Sequence, residues 1–485
     1  MAKIVIDPIT RIEGHLKLEV EVEGGVVVDA HSSGSLFRGI ELILQGRDPR
    51  DAQQFVMRIC GVCPLIHCTA AAFALDDALG VEVPDNGRIM RNLILGSNFI
   101  QSNILHFYHL SALDYVDVER AGLAVAPFVP RYEVPGEYRL PDALNSAAAG
   151  QYVEALAMRR KAHEMLALFG GRAPHPQAIV PGGVTEVLDA QKVIDFLYRL
   201  KELREFVENT YLPTVLAVAD YYPDYLDIGR GVRNMLSYGG FPQTSKVPMG
   251  DDGFFVRGAY LKGSDIAVDP ALITEEVKYS WYEDGTGGST HPTESVVTPA
   301  PTKPDAYSWL KAPRYDGNPM EVGPLARMWV SKNPTILSLG EKAFSVIGRH
   351  LARALECLAL ANEMEQWALQ LEPGKPTCNP HTIPDSSEGM GLAEGPRGSL
   401  GHWIKIEGKR IAKYNAVVPT TWNASPRDDK EQPGPIEQAI IGTSVQDPDN
   451  PIELVRIVRA FDPCLGCAIH LITPDRKLLA EHRVY

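Results

Sequence analysis

Two short cysteine pairs stand almost a chain length apart, and any fold of this sequence has to reconcile them. The first lies in Arg58-Ile59-Cys60-Gly61-Val62-Cys63-Pro64-Leu65-Ile66-His67 and the second in Asp462-Pro463-Cys464-Leu465-Gly466-Cys467-Ala468-Ile469-His470. Two residues between cysteines let both sulfurs turn toward one point, the geometry for sharing a metal. A zinc ribbon spaces its pairs by about 15–20 residues, whereas Cys63 and Cys464 are 401 positions apart. That spacing disfavours a local structural zinc site. Four thiolates can close one site only if the fold brings the two ends together, with everything between them as scaffold.

Composition narrows the class. The 485 residues are 45 % apolar and 22 % charged, as in an ordinary globular protein with a large core. A formal charge of −14 argues against binding a phosphate backbone, so nucleic acid is not an expected partner. Seven cysteines make a poor disulfide framework. Cys357 sits in an apolar helical pattern and reads as an inert buried thiol. Cys68 suits either packing or a place beside the metal, with packing favoured. No apolar run reaches the ~18 residues of a membrane span. The start, Met1 to Pro8, lacks the apolar region of a signal peptide, which by itself suggests the cytoplasm.

Hydropathy predicts an α+β fold, mainly α, with a central bundle of long helices and peripheral β-hairpins. Leu16, Leu18, Val20 and Val22 alternate with charged residues; Gly24-Gly25 turns the chain, and Val26 begins a return strand. Glu13, at the edge of this alternation, reads from the residues alone as a solvated strand-end carboxylate. Asp48-Pro49 opens a helix leading to Cys60. Helices are predicted over 68–79, 86–116, 149–168 (capped by Gly170-Gly171), 188–212 and 337–371, the last broken once. His106 and His109 share a face, and buried polar packing is as good a reading as a metal pair. Residues 213–335 read as loops and short strands, 373–396 as loop, 400–413 as a hairpin around Gly408, and 435–441 and 452–460 as helices. No repeat or linker divides the chain, so residues 1–470 form one expected domain.

The cysteine motifs resemble the large, catalytic subunit of the nickel-iron hydrogenases, and further motifs extend the resemblance over the whole chain. They are Asp7-Pro8-Ile9-Thr10-Arg11-Ile12-Glu13-Gly14-His15, Phe37-Arg38-Gly39-Ile40-Glu41, His106-Phe107-Tyr108-His109-Leu110, Gly395-Pro396-Arg397-Gly398 and Val417-Val418-Pro419-Thr420-Thr421-Trp422-Asn423. The sequence looks most similar to the nickel-iron-selenium branch, with Cys464 where selenocysteine would stand. Many family members carry His-Asp at the position of Gln101-Ser102; here Ser102 supplies no charge.

The resemblance implies reversible heterolytic cleavage of dihydrogen. Nickel would be held by Cys60, Cys63, Cys464 and Cys467. Cys63 and Cys467 would bridge to an iron bearing one carbon monoxide and two cyanides. The base would be the Cys464 thiolate or, less favourably for a group that is normally always protonated, the guanidinium of Arg397; Arg397 would in either case be a cation over the site, and Glu13 the first proton relay. Thr420 with Pro419 would face a cyanide, His67 would support a bridging sulfur, and Asp462 would pair with Arg397 unless it merely caps the chain before Pro463. Glu41, the Ala416 carbonyl and His470 would hold a second cation, magnesium or alternatively iron or calcium. Residues 471–485 would be a tail removed by a maturation endopeptidase after nickel-insertion factors have acted. With no further cysteine cluster, electrons require an iron–sulfur small subunit. Export with that subunit favours a periplasmic or membrane-associated complex. The alternatives are a dihydrogen sensor or a non-catalytic member of the same fold.

Overall fold

The computed structural model describes residues 2–37, 39–122, 136–245, 252–286 and 289–468, with only the backbone of residues 286, 467 and 468. Its axis is the helix Asp85–Ile104, in which every residue from Asn86 onward is buried. A helix buried on all sides belongs at the centre of a bundle. The long helices Asp142–Gly170 and Val346–Leu369 pack against it, with Ala190–Phe206 packed on both of these. This is the expected α+β architecture.

Several boundaries differ from the sequence reading for local reasons. The helix predicted to Val116 is α-helical only to Ile104, then passes through a π-helical segment, Leu105–Ser111, and a 3-10 turn, Ala112–Asp114. Ala190–Phe206 likewise continues through the π-helical Val207–Tyr211 into Leu212–Tyr221. There Pro213 has no N–H to return to the carbonyl four residues back, which favours the wider turn. The predicted break in 337–371 falls at the 3-10 turn Gly340–Ala343, and Ser345 caps the helix that follows by accepting from the Gly348 N–H at 3.0 Å.

Among the described residues, three three-stranded antiparallel sheets flank the helices. The first joins Ala2–Ile6, Leu16–Glu23 and Val26–Gly34, and buries Leu16, Leu18, Val20 and Val22 as the alternation requires. Another joins Met235–Pro242, Gly253–Leu261 and Ser264–Ile266. The last joins Ser386–Gly395, Gly398–Glu407 and Arg410–Val417. Its first strand lies where the sequence reads as loop, because Gly389, Gly391 and Gly395 dilute the strand signal. Those glycines let the strand press against the Ala-rich helix Pro64–Leu79: a Cβ on Gly391 would stand 2.0 Å from the Ala70 carbonyl oxygen. This contact sets the hairpin tip at residues 395–398 beside the start of the cysteine-bearing helix.

The segment around Glu13 meets the segment around Cys464. Glu13 and Cys464 form a parallel bridge, and the Leu465 N–H donates to the Glu13 carbonyl at 2.8 Å. One main apolar core draws on residues from Ile4 to Leu465. Among the described residues no helix is long and apolar enough to cross a membrane.

Candidate metal centre

Cys60 follows a run of short turns, Pro49–Asp51, Ala52–Val56 and Met57–Ile59, in extended conformation. The chain then folds back, so that the N–H groups of Val62 and Cys63 lie 3.2 and 3.4 Å from Cys60 Sγ. Such donors favour a thiolate. Cys63 occupies the N-cap of the helix Pro64–Leu79. From the other end of the chain, Cys464 places its Sγ 3.4 Å from that of Cys60 and 3.7 Å from that of Cys63. The three sulfurs lie within 4.8 Å of one another and all three residues are buried. Tetrahedral thiolates at about 2.3 Å from one ion stand about 3.7 Å apart, so the spacing and the soft donors fit a single thiophilic metal. Cys467 lies in the helical turn Leu465–Ala468, and its side chain is outside the described residues.

Glu13 is half-buried at the edge of this cluster rather than solvated. Its Oε2 accepts from Cys464 Sγ at 3.2 Å and from the Gly466 N–H at 2.6 Å. Gly466 has to be glycine for so close an approach, since a Cβ would stand 2.3 Å from Glu13 Oε1. Burial, and the neighbouring Cys60 sulfur, raise the Glu13 carboxyl above its ordinary value against the opposing hydrogen bonds from Cys464 and Gly466. Behind Glu13, Arg459 donates to the Thr10 carbonyl at 3.0 Å and pairs with Asp114 at 2.6 Å, and Arg11 pairs with the same carboxylate.

Arg397 projects from the hairpin tip and is 3 % exposed. Its Nη2 lies 3.0 Å from Asp462 Oδ1, as expected of a charge pair. Its Nε and Nη1 have no hydrogen-bond partner among the described residues. Burial opposes its charge, but Asp462 and the sulfurs of Cys464, Cys63 and Cys60 outweigh burial and hold the guanidinium firmly protonated. These unsatisfied buried donors beside three sulfurs suit an anionic ligand on the metal. Thr420, in the helix Pro419–Asn423, accepts from the Cys464 N–H at 2.8 Å, and Pro419 opens that helix. Ser102 is fully buried on the central helix.

His67, one helical turn beyond Cys63, has Nδ1 3.3 Å from His402 Nε2, and His402 Nδ1 lies 2.6 Å from the Tyr414 hydroxyl. Glu41 and Ala416 share a cavity of about 30 Å³ with Glu275 and Lys311. Burial pushes the Glu41 carboxyl up to about 7. His470 and Arg38 fall outside the described residues. His106 and His109 do not form a metal pair: their Nε2 atoms approach the carbonyls of Arg459 at 2.6 Å and Tyr152 at 3.1 Å. Cys68 is packing, a buried thiol pushed up to about 12. Nothing in the sequence marks Lys311 and Glu275, or the buried Arg327 beside the Arg397 hairpin, since isolated charges in ordinary segments carry no motif.

A family model described as nickel-dependent hydrogenase matches residues 38–125 and 120–470, and one described as HoxL-like matches residues 3–33. The chain is 47 % identical over 497 residues to the periplasmic NiFeSe hydrogenase large subunit of Desulfomicrobium baculatum, covering 97 % of this chain and 95 % of that protein. It is 34 % identical over 569 residues to the hydrogenase-2 large chain of Escherichia coli, covering 99 % of each. Among solved structures, the as-isolated oxidized NiFeSe hydrogenase of Desulfovibrio vulgaris Hildenborough superposes with a TM-score of 0.93 at 48 % identity, covering 97 % of this chain and all of that one.

Proposed function

The chain belongs to the nickel-dependent hydrogenase large subunits, an oxidoreductase family, and on that premise we propose that it cleaves dihydrogen heterolytically and reversibly, passing the electrons to an iron–sulfur small subunit. Cys60, Cys63, Cys464 and Cys467 would hold nickel, and Cys63 and Cys467 would share an iron carrying carbon monoxide and two cyanides. Bound there, the metals supply Lewis acidity toward dihydrogen.

The chain's own residues account for the proton. The Cys464 thiolate accepts it, because Arg397 is held protonated by Asp462 and the sulfurs and is unsuited to act as base. Glu13 Oε2, 3.2 Å from that sulfur, receives it next. Arg397 stays a fixed cation beside the sulfurs, where it would steady an anionic ligand of a bound iron, and Thr420 keeps its hydroxyl proton to donate while its oxygen accepts from Cys464 N–H. Burial of all three described cysteines excludes bulk water from the transfer. Glu41, the Ala416 carbonyl and His470 would hold magnesium. Residues 1–470 would form one catalytic domain, a reading supported by the continuous main core and by the family match ending at residue 470. The segment 471–485 would be removed by an endopeptidase once nickel is inserted.

The observation that carries this reading is a carboxylate in hydrogen-bond contact with one sulfur of a buried three-sulfur cluster. An infrared spectrum of the purified heterodimer tests it. Carbon monoxide and cyanide bands that shift under dihydrogen are expected; metal-loaded protein without such bands would refute it.

A further inference from the structure

Arg327, on the helix Pro324–Val330, is wholly buried, as are Glu356 and Glu394. A guanidinium has five N–H donors, and every one of them finds an acceptor here. Nε donates to Glu356 Oε2 at 2.6 Å; Nη2 donates to Glu356 Oε1 at 2.9 Å and the Pro396 carbonyl at 3.1 Å. Nη1 donates to Glu394 Oε2 at 2.6 Å and the Gly395 carbonyl at 2.7 Å. The other oxygen of Glu394 accepts from the Tyr238 N–H at 2.7 Å and the Ser399 hydroxyl at 2.5 Å. Residues 394, 395, 396 and 399, on both sides of Arg397, are thus tied to one ionic cluster. The turn is also pressed from outside: a Cβ on Gly323, at φ +122°, would stand 3.0 Å from the Arg397 carbonyl oxygen.

Three charges buried together are a poor source of stability, since well-packed apolar residues do as well or better. What apolar residues cannot do is hold two carbonyls of a turn at fixed points. The helix Val346–Leu369 extends the same support to the other half of the ion pair. One turn before Glu356 it carries Arg353, whose Nη2 donates to the Ala460 carbonyl at 3.0 Å, two residues ahead of Asp462. Asp462 is the one ion-pair partner of Arg397 among the described residues, so the aim of its guanidinium depends on where the hairpin tip is held.

We infer that Arg327, with Glu356 and Glu394, is a positioning cluster that fixes the Arg397 hairpin tip over the cysteine site. The inference rests on the reading of Arg397 as a cation of that site. A cycle of R327K, R397K and the double variant in the purified heterodimer tests it, with R91K as control. Arg91 is also buried, pairing with Asp76 at 2.5 Å, away from the hairpin tip. Lysine at 327 keeps the charge but cannot span both glutamates and two carbonyls. R327K lowers kcat by about 10- to 100-fold, the cost of a misplacement on the order of 1 Å, with KM for dihydrogen held within about two-fold. In the R397K background the same change costs less than about two-fold, because it acts through a side chain already altered. A crystal structure of R327K shows the 3.0 Å Arg397–Asp462 contact lengthened, while R91K keeps both activity and that contact.

Equal fold losses in both backgrounds, or an unmoved Arg397, would overturn the inference while leaving the reading of Arg397 intact. Full activity in R397K would overturn that reading and the inference with it. Should R327K fail to assemble, E356Q, isosteric and uncharged, takes its place in the same cycle with an expected loss of about three-fold or more and the same non-additivity.

Discussion

Replacing Glu13 with glutamine probes a direct link between the sulfur cluster and a titratable side chain. The carboxylate is joined to Cys464 Sγ at 3.2 Å and to the Gly466 N–H at 2.6 Å. Glutamine has the same length, so its carbonyl oxygen still accepts from Gly466, and the backbone bond from Leu465 to the carbonyl of residue 13 is untouched. The fold therefore changes little, and thermal unfolding of E13Q is expected within about 1 kcal/mol of wild type, since the amide also removes a partly buried charge. The proton path is another matter. An amide does not take up and release a proton near neutral pH, and a positioned acid–base group contributes about 10²- to 10⁴-fold. Steady-state dihydrogen oxidation with an artificial electron acceptor should fall by about that factor. Chemistry confined to Cys464 is not blocked, so conversion between ortho- and para-dihydrogen, which needs cleavage but no proton exit, should persist. E13Q with more than about a third of wild-type turnover would refute Glu13 as the relay, because no effect of general acid–base size would then remain. Loss of both activities together would instead assign Glu13 to the cleavage step itself.

Cys467→Ser should abolish nickel loading as well as turnover, measured by metal analysis of the purified chain, and a fully loaded variant would remove Cys467 from the ligand set. Gly391→Ala should lower the unfolding midpoint sharply, since its Cβ would stand 2.0 Å from the Ala70 carbonyl oxygen in a backbone-to-backbone contact; an overpacking cost of about 1–3 kcal/mol or more is expected, and an unchanged midpoint would show that the strand and the cysteine-bearing helix can move apart freely. Glu437 is fully buried, accepting from the Ser32 N–H and the Tyr307 hydroxyl, both at 2.9 Å, and burial raises it from the ordinary 4.5 to about 7. A carboxyl that binds its proton more tightly when folded stabilises fully below the unfolded value, and that contribution is lost as pH rises through the folded one. Stability should therefore decline between about pH 4.5 and 7, by roughly 3 kcal/mol from this group, and E437Q should flatten the decline in a series of thermal melts.

The parts of the molecule that were legible in the sequence are those where pattern and packing agree. Leu16 to Val22 alternates because one face of its sheet is buried, and Val346–Leu369 keeps an apolar stripe against the central helix. The strand Ser386–Gly395 was not legible, because the residues that make it fit, the glycines facing Ala70 and Ala74, are those that weaken a strand's signature. The π-helical segments were missed because a 3.6-residue period hardly distinguishes them from α-helix over one or two turns. At the site, the cysteine pairs declared themselves by spacing. Glu13 did not: by pattern it is a strand-end carboxylate, and only the return of the C-terminal segment gives it Cys464 and Gly466 as neighbours. Arg327, Glu356 and Glu394 come from three separate elements with no common spacing, so their meeting is visible only in three dimensions.

That return of the C-terminal segment explains why the site is a single object. The other groups arrive from four places in the chain: Glu13 beside the first sheet, Cys60 and Cys63 before the Ala-rich helix, Arg397 at a hairpin tip, and Thr420 on a short helix. Each has a contact with residues 462–466. Asp462 pairs with Arg397 at 3.0 Å, and Cys464 gives its N–H to Thr420 and its sulfur to the neighbourhood of Cys60, Cys63 and Glu13. Leu465 and Gly466 bond the backbone and side chain of Glu13. Each such hydrogen bond contributes only about 1 kcal/mol net. The segment is therefore held by the sum of contacts to all four contributors, none of which alone would fix it. Displacing residues 462–466 would take Cys464 away from Glu13, Arg397, Thr420 and the first cysteine pair at one stroke. The sheet ladders lie elsewhere and would keep their pairing, while Cys464 and Leu465 would be lost from the edge of the main core. The site thus depends on these five residues more directly than the strand pairing does, because every contributor to it touches them.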